Sequence, residues 1–177
     1  YAKLPYDPVK DLLPVTMLVS FGQFLVATAK YPATSLPEVI ALAKEKPGVY
    51  SYSSYGAGSQ PHLAMEMFKK RAGLDIVHVP YKGLPPALNA VVAGEVAFSL
   101  MAAASSRAHL AAGTIKPIAY AGRKRLAEYP NVPTFAELGY PEVDANVWVG
   151  VFAPGRTPEA LIQQINRDIQ AVLHDPQ

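Results

Sequence analysis

The sequence passes from a strand through a glycine-rich turn into a helix within one stretch, Val49-Tyr-Ser-Tyr-Ser-Ser-Tyr-Gly-Ala-Gly-Ser-Gln-Pro-His62. The alternation over residues 49–53 is typical of a short strand, and Pro61 suits the first turn of the helix that follows. Gly73 marks the end of this helix, just after Arg71. The same order of strand, turn and helix recurs along the chain.

Apolar runs and turn residues divide the neighbouring sequence in the same way. Further strands are predicted at residues 24–29, 76–81, 96–101 and 117–121, and further helices at residues 36–44, 85–92 and 105–111. Ser35 is a good N-cap for the first of these helices, and Glu38 stands three residues later. Strands and helices that alternate with short connections indicate a parallel sheet covered by helices on both faces.

Two apolar segments lie outside this alternation, residues 13–20 before it and residues 145–152 after it. Trp148 in the second segment is predicted to be a core residue. A helix from Thr157, its predicted N-cap, to about Leu173 follows. Its apolar residues share one face: Leu161, Ile162, Ile165, Ile169 and Val172. Long strands at both ends of an α/β unit suggest a crossover to a neighbouring domain, so we divide the chain into residues 1–20, 21–144 and 145–177.

The composition excludes several classes of protein. Sixteen basic and 14 acidic residues give a net charge of +2, which is too small and too scattered to indicate a nucleic-acid partner or a membrane surface. Cysteine is absent, which excludes disulfides, a thiolate nucleophile and a zinc–thiolate site. No apolar run is long enough for a membrane helix. The chain starts without Met or an apolar leader, so we expect an excised piece of a longer protein.

The loops after the predicted strands contain no Asp or Glu: residues 54–62, 82–86, 102–106 and 122–125. Ligands bind at this edge of an open parallel sheet. Without carboxylates the edge lacks an acid/base pair for glycoside chemistry and ligands for Mg²⁺ or Ca²⁺. An anion fits better, because Gly56 and Gly58 leave the backbone approachable and the helix near Pro61 directs its positive end there. Three serines add hydroxyl donors: Ser53, Ser54 and Ser59.

The glycine-rich turn is equally well explained as a tight turn and nothing more. It lacks the third glycine of a dinucleotide fingerprint and the Gly-Lys-Ser/Thr ending of an ATPase phosphate loop. His62 could bind a ligand or cap its own turn, and the cap is favoured, whereas His78 is interpreted as a structural residue. Separated histidines without acidic neighbours do not predict a metal site, and no Gly-x-Ser-x-Gly motif supports Ser-His-Asp catalysis.

A series of motifs runs in order along nearly all 177 residues: Tyr6-Asp-Pro-Val-Lys-Asp11, Pro14-Val-Thr16, Ser51-Tyr-Ser-Ser-Tyr-Gly-Ala-Gly-Ser-Gln-Pro-His-Leu63, Ile76-Val-His-Val-Pro-Tyr-Lys-Gly83, Pro86-Ala-Leu88, Gly94-Glu-Val96, Tyr129-Pro-Asn-Val-Pro-Thr134 and Trp148 before Ala153-Pro154. In these motifs the sequence resembles the substrate-binding proteins of tripartite tricarboxylate transporters, also called the Bug family. Each motif alone is weak, and their order and spacing carry the resemblance.

The resemblance implies an α/β fold with a parallel (mixed) sheet flanked by helices, the second lobe of a type II periplasmic-binding-protein fold. Residues 21–144 would form this lobe, with residues 1–20 as a lead-in and crossover strand and residues 145–177 as a crossover strand and a helix of an incomplete first lobe. The implied protein is periplasmic, closes over a small carboxylate and delivers it to membrane permease subunits, with no catalysis, cofactor or metal. We expect no nucleic-acid partner, a monomeric full-length protein and a fragment able to self-associate.

Carried over by position, the family's ligand loop falls on seven consecutive residues followed by the helix start at His62: Ser54, Tyr55, Gly56, Ala57, Gly58, Ser59 and Gln60. The loop after residues 96–101 also faces the cleft in the family. There Met101 and Ala102 replace residues that are often polar in other members. The resemblance therefore implies an apolar wall from Met101 to Ala104, and with it an aromatic or aliphatic acid rather than a hydroxylated or amino one.

Two other functions stay open at this point. An effector-binding domain of a bacterial transcription regulator has the same two-lobed architecture, and a helix-turn-helix in the longer gene product would favour it. An enzyme acting on carboxylates or phosphoesters would need an acid/base pair, which these loops lack and which a missing lobe could supply.

Overall fold

The computed structural model describes residues 4–175 of the chain. Its elements follow in chain order: β1 (Leu12–Phe21), β2 (Gln23–Thr28), α1 (Leu36–Glu45), β3 (Ser51–Ser54), α2 (Gln60–Ala72), β4 (Val77–Pro80), α3 (Leu84–Ala93), β5 (Phe98–Ala102), α4 (Ala103–Ala111), β6 (Ile115–Ala121), β7 (Val147–Pro154) and α5 (Glu159–Leu173). The chain divides into two compact units, Phe21–Val147 and the described parts of Tyr1–Ser20 with Trp148–Gln177.

The larger unit is built on a five-stranded sheet in the order β4-β3-β5-β2-β6. Strand β3 runs parallel to β4 and β5, whereas β2 pairs antiparallel with both β5 and β6. The sheet is therefore mixed, and the all-parallel arrangement that the alternation indicated is wrong for β2. Gly22 alone separates β2 from β1, so no crossover helix precedes β2 to set its direction parallel to the other strands.

Helices cover both faces of this sheet, as predicted. On one face, α1 and α2 pack against alternate strand residues in one buried cluster, which includes Leu25, Tyr52, Leu100, Leu36, Val39, Met65 and Phe68. On the other face, residues of α3 join a second cluster, which includes Phe24, Val26, Met101, Ala87 and Val91. Strand β2 is buried along its whole length because it lies between β5 and β6 with a covered face on each side.

Helix boundaries agree with the predicted start and stop signals in most cases. Ser35 precedes α1 as its N-cap, and Gly73 ends α2 with a left-handed φ of +66°. The predicted N-cap of α5 is wrong by one residue, because Pro158 holds that position with extended backbone angles. The Thr157 hydroxyl donates to the Pro154 carbonyl oxygen at 2.8 Å and so closes the turn before the helix.

The smaller unit consists of the β1–β7 pair and α5. Side chains of α5 donate to β1, Asn166 to the Val15 carbonyl oxygen at 2.7 Å and Gln170 to the Thr16 hydroxyl at 2.6 Å. No residue of α5 is buried, although its apolar residues share one face as predicted. Trp148 is 55% exposed, so the described residues do not bury it in a core, and the prediction that it is a core residue is wrong. This unit leaves apolar surface uncovered.

None of the helices within residues 4–175 combines the length and apolar character that crossing a membrane requires.

Candidate functional site

The predicted ligand-binding residues collect at one edge of the five-stranded sheet. Gln23, at the start of β2, is in register with Ala102 at the end of β5 and with Ala121 at the end of β6. Ser54, at the end of β3, pairs with Pro80 at the end of β4. The carboxyl ends of four strands therefore lie at one edge, which is where open α/β sheets bind ligands.

The glycine-rich loop between β3 and α2 is a tight turn with a defined backbone. Gly56 and Gly58 have positive φ angles of +135° and +79°, which residues with a Cβ adopt only with strain. The Ser59 N–H donates to the Gly56 carbonyl oxygen at 3.2 Å and closes the turn. The loop therefore arrives at α2 in a fixed conformation.

Part of the donor set predicted for an anion is used inside this turn. The Gly56 N–H donates to Ser54 Oγ at 3.2 Å, and the Gly58 N–H donates to His62 Nδ1 at 3.0 Å. The Ser59 N–H is the one that closes the turn. The prediction that amides of the whole loop hold a carboxylate is wrong for these three N–H groups, because each already has a partner within the protein.

The serine hydroxyls are used in the same way. Ser53 Oγ donates to the Ala87 carbonyl oxygen at 3.0 Å, and Ser59 Oγ donates to the Gly56 carbonyl oxygen at 2.6 Å. Ser54 Oγ lies 3.1 Å from the Gly56 carbonyl oxygen and 2.6 Å from His78 Nε2. The Ser54 and Ser59 hydroxyls stabilise the turn, and the Ser53 hydroxyl joins β3 to α3, so their predicted role as ligand donors is not supported in this conformation.

Backbone donors remain in the loop before α2 and in its first turn. Among the described residues, the N–H groups of Ala57, Gln60 and His62 have no hydrogen-bond acceptor. The first turn of α2 contains no acidic residue, so its partial positive charge is not neutralised locally. Free N–H groups at a helix N-terminus are a ready site for an anionic group.

The two histidines of this region serve the turn. Their rings stack with centroids 4.0 Å apart and planes inclined by 20°. His62 accepts the Gly58 N–H, which confirms the predicted cap, and His78 pairs with Ser54 Oγ, which confirms a structural role. Burial lowers the pKa of His78, and the neighbouring His62 lowers it further.

Two cavities open at this edge, and Phe21 and Ala102 line both of them. The smaller, of about 190 Å³, is lined by Phe21, Gln23, Tyr55, Gln60, Pro61, Leu84, Ala102 and Val147. The larger, of about 440 Å³, is lined by Phe21, Gly22, Ala102, Ala103, Ala104, Arg107, Tyr120, Leu126, Ala127 and Glu128. Both cavities lie wholly within the larger unit.

Of the remaining predicted ligand contacts, Ala102 and Tyr55 line a cavity and Met101 does not. Ala102 lines both cavities, but the Met101 side chain is fully buried in the core cluster with Phe24, so its predicted place on a ligand wall is wrong. Alternate residues of a strand point to opposite faces, and Met101 points into the helix-covered face. Tyr55 lines the smaller cavity and donates to the Leu100 carbonyl oxygen at 3.1 Å, and burial raises the pKa of its hydroxyl to about 12.

Sequence reasoning missed three residues at this edge. Gln23 is only 2% exposed and lines the smaller cavity, and a polar residue heading a fully buried strand is the signal that could have found it. Arg107 and Glu128 line the larger cavity, where Arg107 Nη2 lies 2.8 and 2.9 Å from the two carboxylate oxygens. No local pattern predicts a pair formed by residues 21 positions apart.

Within residues 4–175, no three His, Asp or Glu side chains lie close enough together to hold a metal ion.

The family model of the "Tripartite tricarboxylate transporter family receptor" matches residues 1–177. The protein BugT of Bordetella pertussis (strain Tohama I) is 36% identical over 170 residues, which are 96% of this chain and 52% of BugT. The chain spans about half the length of the curated relatives it matches.

Solved structures extend this similarity to the fold. An R. palustris protein solved with adipate superposes with a TM-score of 0.92 at 33% identity, over 99% of this chain and 58% of that one. A structure described as a periplasmic transporter gives a TM-score of 0.91 at 38% identity, again over 99% and 58% of the two chains. The α/β arrangement with a mixed sheet flanked by helices is common to these proteins.

Proposed function

The chain belongs to the tripartite tricarboxylate transporter receptor family, and from this premise we propose that it forms the second lobe of a periplasmic solute-binding protein that captures a small carboxylate. Phe21–Val147 is the lobe, and most of the first lobe lies outside the 177 residues. The smaller unit supplies two crossover strands and one helix of that first lobe. The roughly half-length match to relatives supports this division.

One observation carries the binding proposal: the N–H groups of Ala57, Gln60 and His62, before and within the first turn of α2, have no acceptor among the described residues. A carboxylate placed there accepts charge-assisted hydrogen bonds and meets the positive end of the helix. Gln60 also lines the smaller cavity, whose lining contains no acidic side chain that would repel an anion. The adipate bound to the R. palustris protein is a carboxylate, which supports the same ligand class.

The transport role follows from the family. A receptor of a tripartite transporter delivers its ligand to membrane permease subunits, and we assign these as the partners of the full-length protein. A similar structure is described as periplasmic, which supports that compartment. The protein holds its ligand without reacting with it, because no Asp, Glu or His is found among the described residues that line the smaller cavity. Receptor membership favours this role over effector binding by a transcription regulator.

The proposal is tested by removing one backbone donor while keeping the helix. Gln60 is the first residue of α2, where proline is well tolerated, and Gln60→Pro removes its free N–H. Gln60→Ala is the matched control, since it loses the same side chain and keeps the N–H. We expect the Pro variant of the full-length protein to bind its carboxylate about tenfold more weakly than the Ala variant, as a charge-assisted hydrogen bond is lost.

Isothermal titration calorimetry with a panel of dicarboxylates, tricarboxylates and aromatic acids measures this difference. Circular dichroism checks that α2 is retained in both variants. Equal affinities of the Pro and Ala variants would contradict carboxylate binding at the start of α2.

A further inference from the structure

Two side-chain amides meet at the smaller cavity, and neither has its carbonyl oxygen satisfied. Gln23 Oε1 and Gln60 Oε1 are both buried, and within the described chain neither has a hydrogen-bond partner. From this arrangement we infer that the captured carboxylate carries a hydroxyl group, which these two amides bind. The inference rests on the proposed function and deepens it by naming the ligand class.

Gln23 is the stronger of the two observations. It is 98% buried, since 2% of it is exposed, and it opens a strand in which every residue is buried. Its Oε1 accepts no hydrogen bond from the described residues. Buried amide groups are almost always hydrogen-bonded, because leaving one unpaired forfeits its interaction with water. We therefore expect a polar group in the cavity to donate a hydrogen bond to Gln23 Oε1.

Gln60 places this polar group close to the carboxylate. Within the described chain, its backbone N–H has no acceptor, and its side-chain Oε1 is the second oxygen without a partner. A single residue thus offers a donor to an anion and an acceptor beside it. The ligand that uses both carries its hydroxyl on a carbon near the carboxylate, as a 2-hydroxy acid does.

A hydroxyl fits this cavity better than an ammonium group. An ammonium group would also donate to the two oxygens, but none of the eight residues lining the cavity is acidic, so its charge would be buried without compensation. A side-chain amide can also turn its NH₂ towards the cavity. A hydroxyl satisfies both orientations because it donates and accepts, whereas an ammonium group only donates.

This ligand class differs from the unhydroxylated acid that the Met101–Ala104 segment implied. Met101 is in the core, so the apolar wall at this segment is reduced to Ala102, Ala103 and Ala104, which line the larger cavity. In the smaller cavity, the side chains of Gln23 and Gln60 supply most of the polar groups.

The test compares acids that differ by one hydroxyl, by calorimetry on the full-length protein: succinate with malate, glutarate with 2-hydroxyglutarate, and adipate with 2-hydroxyadipate. We expect the hydroxylated member of at least one pair to bind about tenfold more tightly or better, because a site built for a hydroxyl discriminates against the analogue without it. Gln23→Met removes the amide at similar volume and should bring this ratio close to one. Gln163→Met, on exposed α5, is the matched control and should leave the ratio unchanged.

Each outcome decides the matter. Equal binding of all three pairs to the unaltered protein would leave ordered water as the partner of both amides and would overturn the inference, while the Gln60→Pro result could still uphold carboxylate capture. A ratio that survives Gln23→Met also overturns it. If Gln23→Met does not fold, Gln60→Met removes the second amide and carries the same test. Binding of none of the six acids would overturn the inference, and equal affinities of the Gln60→Pro and Gln60→Ala variants would overturn the proposed function separately.

Discussion

At the scale of single residues, His62 and His78 connect the glycine-rich loop to the neighbouring strand. Nδ1 of His62 accepts the Gly58 N–H, and Nε2 of His78 lies 2.6 Å from Ser54 Oγ. Burial lowers the pKa of His78, and neighbouring positive charge adds to this effect, while Glu66 opposes it. The folded protein therefore disfavours the proton that His78 would otherwise take up near neutral pH.

Stability is expected to decrease as the pH falls below the ordinary histidine pKa of 6.5. In this range the unfolded chain binds a proton at His78 that the folded chain does not, so acid favours unfolding until the lowered pKa is passed. Urea unfolding at about pH 7.5 and about pH 5.5 measures the effect. The acidic residues with lowered pKa values, Glu38, Glu66 and Glu137, titrate below this window.

His78→Gln should flatten this pH dependence, because glutamine can still pair with Ser54 Oγ but does not titrate. His174→Gln changes an exposed histidine at the end of α5 and is the matched control. An undiminished loss of stability in the His78 variant would contradict the assignment.

At the scale of elements, α2 shows how the two ends of one helix take different tasks. Its first turn has no acidic residue, and the N–H groups of Gln60 and His62 have no acceptor among residues 4–175. Its last turn carries Lys69, Lys70 and Arg71, which complement the negative end of the helix, and Gly73 then ends it with a left-handed φ. Stability is thus provided at the C-terminal end, and the N-terminal end stays open for binding.

Gly73→Ala tests the C-terminal end of α2. A Cβ on Gly73 would meet no atom within 4 Å, so its cost comes from the backbone alone. We expect the free energy of unfolding to drop by about 1–2 kcal/mol, the cost of holding a residue with a Cβ in the left-handed region. Gly73→Asn should lose less, since asparagine tolerates this region better. Urea unfolding distinguishes the two, and equal losses would contradict a purely conformational cause.

At the scale of the whole molecule, the smaller unit exposes apolar side chains that a soluble domain normally covers. Trp148 is 55% exposed and Val172 is 76% exposed, and Phe152 and Leu161 are also open. The β1–β7 pair and one helix do not provide enough surface to bury them. In the proposed two-lobed protein, this surface would be covered by the remainder of the first lobe.

The 177-residue fragment is therefore expected to self-associate, whereas the full-length protein is expected to be monomeric. Light scattering over a concentration series measures the difference. Replacing Leu161 and Val172 together by lysine should reduce the association, because both lie on the exposed apolar face of α5. Gln163→Lys adds a charge elsewhere on α5 and serves as the control. A fragment that stays monomeric at all concentrations would contradict this expectation.

Local sequence patterns were enough to predict the order and type of the elements and the position of the glycine-rich loop. These follow from interactions between residues close in the chain: the alternation that makes a strand, Ser35 before α1, and Gly73 after α2. The resemblance carried by the ordered motifs also led to the correct family. Local chemistry was sufficient because each of these features is formed within a few residues.

Which donors of the loop already have a partner depends on contacts that form in the folded chain. The partners that use the N–H groups of Gly56 and Gly58 lie within a few residues, but the backbone angles of the folded turn bring them into range. The antiparallel direction of β2 brings Gln23 to the edge where α2 begins, and so sets it beside Gln60, 37 positions later in the chain. Local sequence patterns do not specify contacts over such separations, because those contacts depend on strand order and direction.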